Sequence, residues 1–351
     1  MPIMKFLVAV LAIRSLYSLP SPLQKITNVK SAHDDTDPVQ WGVEKVQAGK
    51  IWSQGFRGQG VVVAHVGTGV SRTHDALANN FRSQYGWFDP YEGTNTPTDQ
   101  HGSGTHATGI MLGQHNGIGV APDAQWTACK ACTADGCSTN AKLLCFQWTV
   151  CPTDANGQSP NCSLSPNIVS VGIELSPRSF EDDILAAYEA LNTVVTSAIG
   201  DAGPSCGSAN YFASRSTVIG VAATTRDDYV AAFSSTGPSP YDNMTVKPDV
   251  AAPGHQVWSA SHESTNSYEN MPGTNTASAH VSGLVALLLS KDPSLTAREV
   301  RALIKCGTEC TRPNGGNCGG INDTVCPNYH AGYGRVSAPL LFACLQKLDL
   351  N

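Results

Sequence analysis

Met271-Pro-Gly-Thr-Asn-Thr-Ala-Ser-Ala-His280-Val-Ser-Gly-Leu-Val-Ala-Leu-Leu-Leu289 is the stretch on which the reading of this chain turns. Its second half is apolar on every side, which predicts a helix buried all round rather than one laid on a surface. Gly273, Ala277, Ala279, Ser282 and Gly283 are small and let other backbones approach closely. Pro272-Gly273 turns the chain just ahead of the helix.

A helix of that kind needs layers to bury it, and the rest of the chain offers them. Val61–Val66, Gln125–Lys130, Ile168–Gly172, Thr193–Ile199 and Val218–Ala222 are short β-branched runs of the sort found in buried parallel strands. Helical patterns fall between them, at Gly104–Leu112, Thr139–Val150 and Ser179–Leu191. The last is the clearest: Ser179 suits a cap, Glu181, Asp182 and Asp183 suit a positive N-terminus, and Phe180, Ile184, Tyr188 and Leu191 stripe one face. Alternation of this kind predicts an α/β fold, a mostly parallel central sheet with helices on both faces. Ligands of such sheets bind at the carboxyl ends of the strands.

With 351 residues the chain can bury a sizeable core. A formal charge of −6 without long basic runs argues against nucleic acid or an anionic membrane as partner. Residues 1–18, with Lys5 followed by the apolar run Phe6–Ile13, read as a secretory signal. Residues 19–38 read as a linker or short pro-segment, and 39–351 as one domain with a cysteine-rich excursion at 305–333. Twelve cysteines suit an oxidising, extracellular destination, where they pair. Reading Cys129-Lys-Ala-Cys132 and Cys306…Cys310 as zinc ligands is the weaker alternative. Asn161-Cys-Ser, Asn243-Met-Thr and Asn322-Asp-Thr are acceptor triplets for N-glycosylation.

The quoted stretch resembles the serine-bearing helix of the subtilisin-like proteases, Gly-Thr-Ser-Met-Ala-x-Pro-His-Val-x-Gly, through Gly273, Thr274, Ala277, His280, Val281 and Gly283. The resemblance continues in Trp41-Gly-Val-Glu-Lys, Gly119-Val-Ala-Pro-Asp-Ala-Gln-Trp, Phe233-Ser-Ser-Thr-Gly-Pro-Ser-Pro-Tyr and Lys247-Pro-Asp-Val-Ala-Ala-Pro-Gly. Within the family it is most similar to the bacillopeptidase F type. It implies a three-layer fold and a serine endopeptidase in which aspartate, histidine and serine act in that chain order.

The catalytic positions themselves are different here. Gly67, in Val61-Val-Val-Ala-His-Val-Gly67-Thr-Gly-Val, stands where the family's aspartate belongs. Ser103, in Asp99-Gln-His-Gly-Ser103-Gly-Thr-His106, takes the place of the histidine, and Asn275 that of the nucleophilic serine. Asp201, in Gly200-Asp-Ala-Gly203, takes the place of the oxyanion-hole asparagine, and Gly172, Ile173 and Glu174 the place of the substrate-lining stretch. Glycine cannot orient an imidazole, asparagine has no hydroxyl to activate, and an ionised aspartate repels a developing oxyanion. Ser103 with His101 as base is the substitute set left to weigh, and no acid accompanies it.

The expectation is therefore a secreted, non-catalytic homologue, a pseudoprotease that binds a peptide or protein in its cleft. Active subtilases and their inhibitors are candidate partners. A serine endopeptidase with a non-standard catalytic set is the alternative. No cofactor is expected, and no metal, because the loop Gln114-His-Asn-Gly-Ile-Gly119 is shorter than the family's tight calcium loop. His106 and His280 match structural histidines of the family, and His65 and His74 are expected to be satisfied structural residues.

Overall fold

The computed structural model describes residues 39–174 and 180–348. The expected signal and linker, and the expected cap at Ser179, lie outside those residues. Strands run in chain order β1 (Val62–Gly67), β2 (Trp87–Phe88), β3 (Gln125–Lys130), β4 (Ile168–Val171), β5 (Val194–Ala198), β6 (Val218–Thr224) and β7 (Val250–Pro253). Then follow β8 (Val257–Ala260), β9 (Tyr268–Met271), β10 (Thr308–Glu309), β11 (Asn317–Cys318), β12 (Ile321–Asn322) and β13 (Arg335–Val336). The main sheet has the order β10-β13-β7-β6-β5-β4-β1-β3-β2, and every pairing but β10 with β13 is parallel. This is the three-layer α/β fold expected from the alternating pattern.

The strand order reverses at β1, which lies between β3 on one side and β4 on the other. Such a reversal leaves a crevice outside the carboxyl ends of the strands. Gly67 ends β1, Gly172 follows β4, and Gly200-Asp201 follow β5 by two residues. The sequence places its candidate residues at that crevice before any side chain is considered.

The predicted buried helix spans Thr274–Lys291, and all of Ala277–Leu289 is buried. It packs across β4, β5, β6 and β7 and against the Ser103–Leu112 helix. Apolar side chains all round are what that sandwiched position requires. Its partner strands are buried on both faces, with no exposed position in β4, β5, β6 or β7. The opposite face of the sheet carries Thr139–Val150 and Phe180–Leu191, around a second apolar cluster that includes Phe146, Tyr188 and Phe212. Ser138 caps the former by accepting from Ala141 N. Thr296 and Glu299 form a reciprocal cap on Ala297–Cys306.

All twelve cysteines pair: Cys129–Cys145, Cys132–Cys137, Cys151–Cys162, Cys206–Cys318, Cys306–Cys344 and Cys310–Cys326. The zinc reading of these thiols is therefore set aside. Three of the bridges organise the tail. Cys310–Cys326 closes it on itself, Cys206–Cys318 ties it to the body beside the Gly200–Pro204 loop, and Cys306–Cys344 ties it to the last helix, Ala338–Leu348.

Candidate functional site

At the carboxyl end of β1 the backbone reaches the start of the Ser103–Leu112 helix. That helix is held by Asp99, whose carboxylate accepts from the N–H groups of His101, Gly102 and Thr105 and from the Thr105 hydroxyl, at 2.7–3.0 Å. A buried carboxylate at a helix N-terminus satisfies donors that have no partner within the helix. The Ser103 hydroxyl lies 3.2 Å from Thr68 Oγ1, which also accepts from Gly104 N at 3.1 Å. His101 is exposed, and among the described residues no hydrogen bond joins it to Ser103. The substitute pair weighed from the sequence is therefore not assembled.

Asn275 sits in the first turn of the central helix, and its Oδ1 is buried without a partner. The side chain lies against Gly172: a Cβ there would stand 2.7 Å from Asn275 Oδ1 and 2.7 Å from His65 Cε1. Asp201 has a definite role. Its Oδ1 accepts from Thr274 N at 2.9 Å, while the Thr274 hydroxyl accepts from Gly200 N at 3.2 Å. A carboxylate thus caps the central helix where the helix dipole is positive. The chain supplies its own anion at a place that would otherwise attract one.

Gly67, Ser103, Asn275, Gly172 and Asp201 therefore come together. Glu174 joins them, its Oε1 reaching within 3.5 Å of the Gly200 Cβ position. Glu174 and Asp201 are both exposed, and neither is ion-paired among the described residues. Ile173 turns inward and packs in the second apolar cluster. The rim of the crevice at this point thus consists of Gly172 and Glu174.

The residue that sequence reasoning placed wrongly is His65. Expected to be a satisfied structural histidine, it is 1% exposed with neither ring nitrogen hydrogen-bonded. It shares a strand face with Gly67, two residues on, and its ring fills the space a side chain at 67 would need. A Cβ on Gly67 would stand 2.4 Å from His65 Nε2 and 2.9 Å from Cδ2. Burial holds this imidazole down at about 4, against the pull of the Asp99 carboxylate, so it is neutral near pH 7. Strand geometry alone puts residues 65 and 67 on one face, but it does not say that the ring folds over the glycine.

His262, on the loop between β8 and β9, was also missed. Its Nδ1 is buried without a partner and would lie 2.5 Å from a Cβ on Gly102, where φ is +97° and glycine is required. The remaining three histidines expected to be structural each bond a backbone carbonyl, although His280 Nε2 is buried without a partner. His106 Nε2 meets Val257 O at 2.9 Å, His280 Nδ1 meets Thr276 O at 3.0 Å, and His74 Nε2 meets Ser267 O at 2.8 Å. Among the described residues no three histidine, cysteine, aspartate or glutamate side chains gather to hold a metal, and no helix is long and apolar enough to cross a membrane.

The family model of the subtilases matches residues 58–320. The chain belongs to the subtilase family. Among its curated relatives, bacillopeptidase F of Bacillus subtilis (strain 168) is 33% identical over 356 residues, an alignment covering 93% of this chain and 23% of the relative. Subtilisin DY of Bacillus licheniformis is 32% identical over 270 residues, covering 75% of this chain and 89% of the relative. The minor extracellular protease Epr of Bacillus subtilis (strain 168) is 30% identical over 283 residues, covering 78% and 40%. The chain thus spans under a quarter of bacillopeptidase F and most of subtilisin DY. It is a subtilase-fold protein related to proteases, and its fully paired cysteines fit an extracellular one.

Proposed function

We propose that this chain is a secreted, non-catalytic member of its family that binds basic peptide segments in the surviving crevice. The observation that carries the reading is the packing of His65 against Gly67. The space for an acid that would orient a catalytic histidine is filled by a buried ring. A triad works through an acid, a base and a nucleophile held in contact. Gly67 has no side chain, Ser103 is bonded to another hydroxyl, and Asn275 offers an amide. The capping carboxylate of Asp201 opposes the negative charge that builds on a carbonyl oxygen during acyl transfer.

The same features favour a cationic ligand. Glu174 and Asp201 place two exposed carboxylates, without an ion-pair partner among the described residues, at the rim of the crevice. There they attract positive charge and reject negative, although Lys142 Nζ donates to the Glu174 carbonyl at 2.9 Å. Active relatives and the inhibitors that target them present peptide segments of the right shape to such a crevice. The three glycosylation triplets fit a secreted glycoprotein. Asn243 and Asn322 are exposed, and Asn322 Oδ1 accepts from Thr324 N.

The test is turnover of a generic peptide substrate and labelling by a serine-directed fluorophosphonate, together with binding of paired lysine-rich and glutamate-rich peptides. Inertness in both activity assays with preferential binding of the lysine-rich peptide supports the reading. Turnover abolished by Ser103→Ala or His101→Ala would show instead that the chain is an endopeptidase with a new catalytic set.

A further inference from the structure

Outside the crevice, a pocket of about 260 Å³ opens between the cysteine-rich tail and the body of the domain. Pro204, Val230, Ala231, Ser234 and Thr236 line its body side, and Asn314, Asp323 and His330 its tail side. Two polar groups in its wall lack partners. Asp323 is 6% exposed, and its Oδ2 accepts from Asn314 N at 2.6 Å and Gly316 N at 3.0 Å, while Oδ1 is buried with no hydrogen bond. His330 Nε2 is likewise buried and unpaired.

The two groups flank the same residue. Gly316 donates to the Asp323 carboxylate, and a Cβ on Gly316 would stand 2.5 Å from His330 Nε2. No lysine or arginine lines the pocket. A carboxylate oxygen closed off from water and from every donor is costly. The His330 Nε2, packed against the same glycine, carries a similar cost, and one ligand reaching both would relieve both.

We propose that Asp323 and His330 bind a divalent transition-metal ion of the zinc class, with water from the pocket completing its coordination. One nitrogen and one carboxylate oxygen form the mixed donor set that zinc, nickel and copper favour over calcium or magnesium. The carboxylate is already oriented by two backbone N–H groups, the outer support that metal-binding side chains require. An ammonium or guanidinium group would also suit the carboxylate. It is the poorer fit, because an imidazole nitrogen joins the carboxylate in the pocket wall, and that nitrogen is a donor that transition-metal ions favour. With two protein donors the site is of modest affinity. Both donors lie in the tail while the pocket's far wall belongs to the body, so the ion would brace the tail where Cys206–Cys318 already fastens it.

The experiment titrates the full, disulfide-bonded protein with zinc chloride, and separately with cobalt chloride for its visible absorption. Melting temperature is followed as a second readout. One saturable site per chain is expected, with a melting temperature that rises with the logarithm of zinc concentration and reverts with EDTA. Asp323→Asn and His330→Gln each weaken binding tenfold or more, whereas His115→Ala leaves it unchanged. Both tail variants keep a polar side chain of similar size, and their melting temperature without metal reports whether the tail still folds. Absence of saturable binding below millimolar zinc overturns the proposal. So does binding indifferent to both substitutions, and so does tighter binding of arginine amide than of zinc at the same two residues.

Discussion

Substituting Gly67 tests the packing on which the functional reading rests. An alanine Cβ at 67 would lie 2.4 Å from His65 Nε2, far inside van der Waals contact, and the ring is enclosed at 1% exposure. Forcing a methyl group into a full core costs about 1–3 kcal/mol. Glycine at 67 has no positive φ that would exclude alanine, so the clash is the only obstacle. Once His65 is reduced to alanine, Gly67→Ala is expected to be neutral or to stabilise by about 0.4–1 kcal/mol through the unfolded chain. The double-mutant cycle from urea unfolding with disulfides intact should therefore show a coupling of about 1–3 kcal/mol between the two positions. Gly67→Asp should cost more than Gly67→Ala in the natural background, because it adds a carboxylate beside a neutral imidazole. Equal costs for Gly67→Ala in both backgrounds, within about 0.5 kcal/mol, would refute the reasoning.

Three further outcomes follow from the same structure. The quadruple substitution Gly67→Asp, Ser103→His, Asp201→Asn and Asn275→Ser should remain inert towards peptide substrates until His65 is also made small, and turnover by the quadruple variant alone would contradict the account of His65. Asp201→Ala should destabilise the protein by about 0.5–2 kcal/mol through loss of the cap on Thr274 N, measured by urea unfolding. His65 and His280 are both held at about 4 by burial, below the ordinary 6.5, so protonation favours the unfolded chain. Their contribution is complete above pH 6.5 and is lost as pH falls towards 4, at about 1.4 kcal/mol per pH unit for each group. His65→Asn should flatten that acid limb, and an unchanged slope would argue against a buried neutral His65.

Much of the fold is written in local patterns. The Thr139–Val150 helix and β3 coincide with their predicted bounds, and β1, β4 and β5 differ by one residue at each shifted end. The all-round apolar run Leu284–Leu289 could belong only to a helix enclosed by other layers. β7 was less legible, because Val250-Ala-Ala-Pro253 is short, ends in proline and becomes a strand through its neighbours β6 and β13. The β8–β9 hairpin has polar and aromatic residues that no alternation singles out. Cysteine pairing was closed to inspection, since only the fold brings Cys206 beside Cys318 across 112 residues.

The site was legible as a set of positions and not as a set of contacts. Gly67, Ser103, Asn275 and Asp201 could be named from motif spacing. That Asp201 caps a helix depends on the meeting of β5 with the central helix, which no local pattern records. His65 was hidden for a related reason. A strand buried on both faces gives no alternation of polarity, so the sequence does not tell which neighbour a side chain on it will meet.

The bridges in the tail also decide what happens if the chain is cut. Val325 and its neighbours form an exposed tip of the kind that extracellular proteases find first. A scission anywhere between residues 310 and 326 leaves two pieces spanned by both Cys310–Cys326 and Cys306–Cys344. Neither piece can depart without reduction. A molecule nicked at this exposed tip therefore stays a single body and separates into fragments only on a reducing gel.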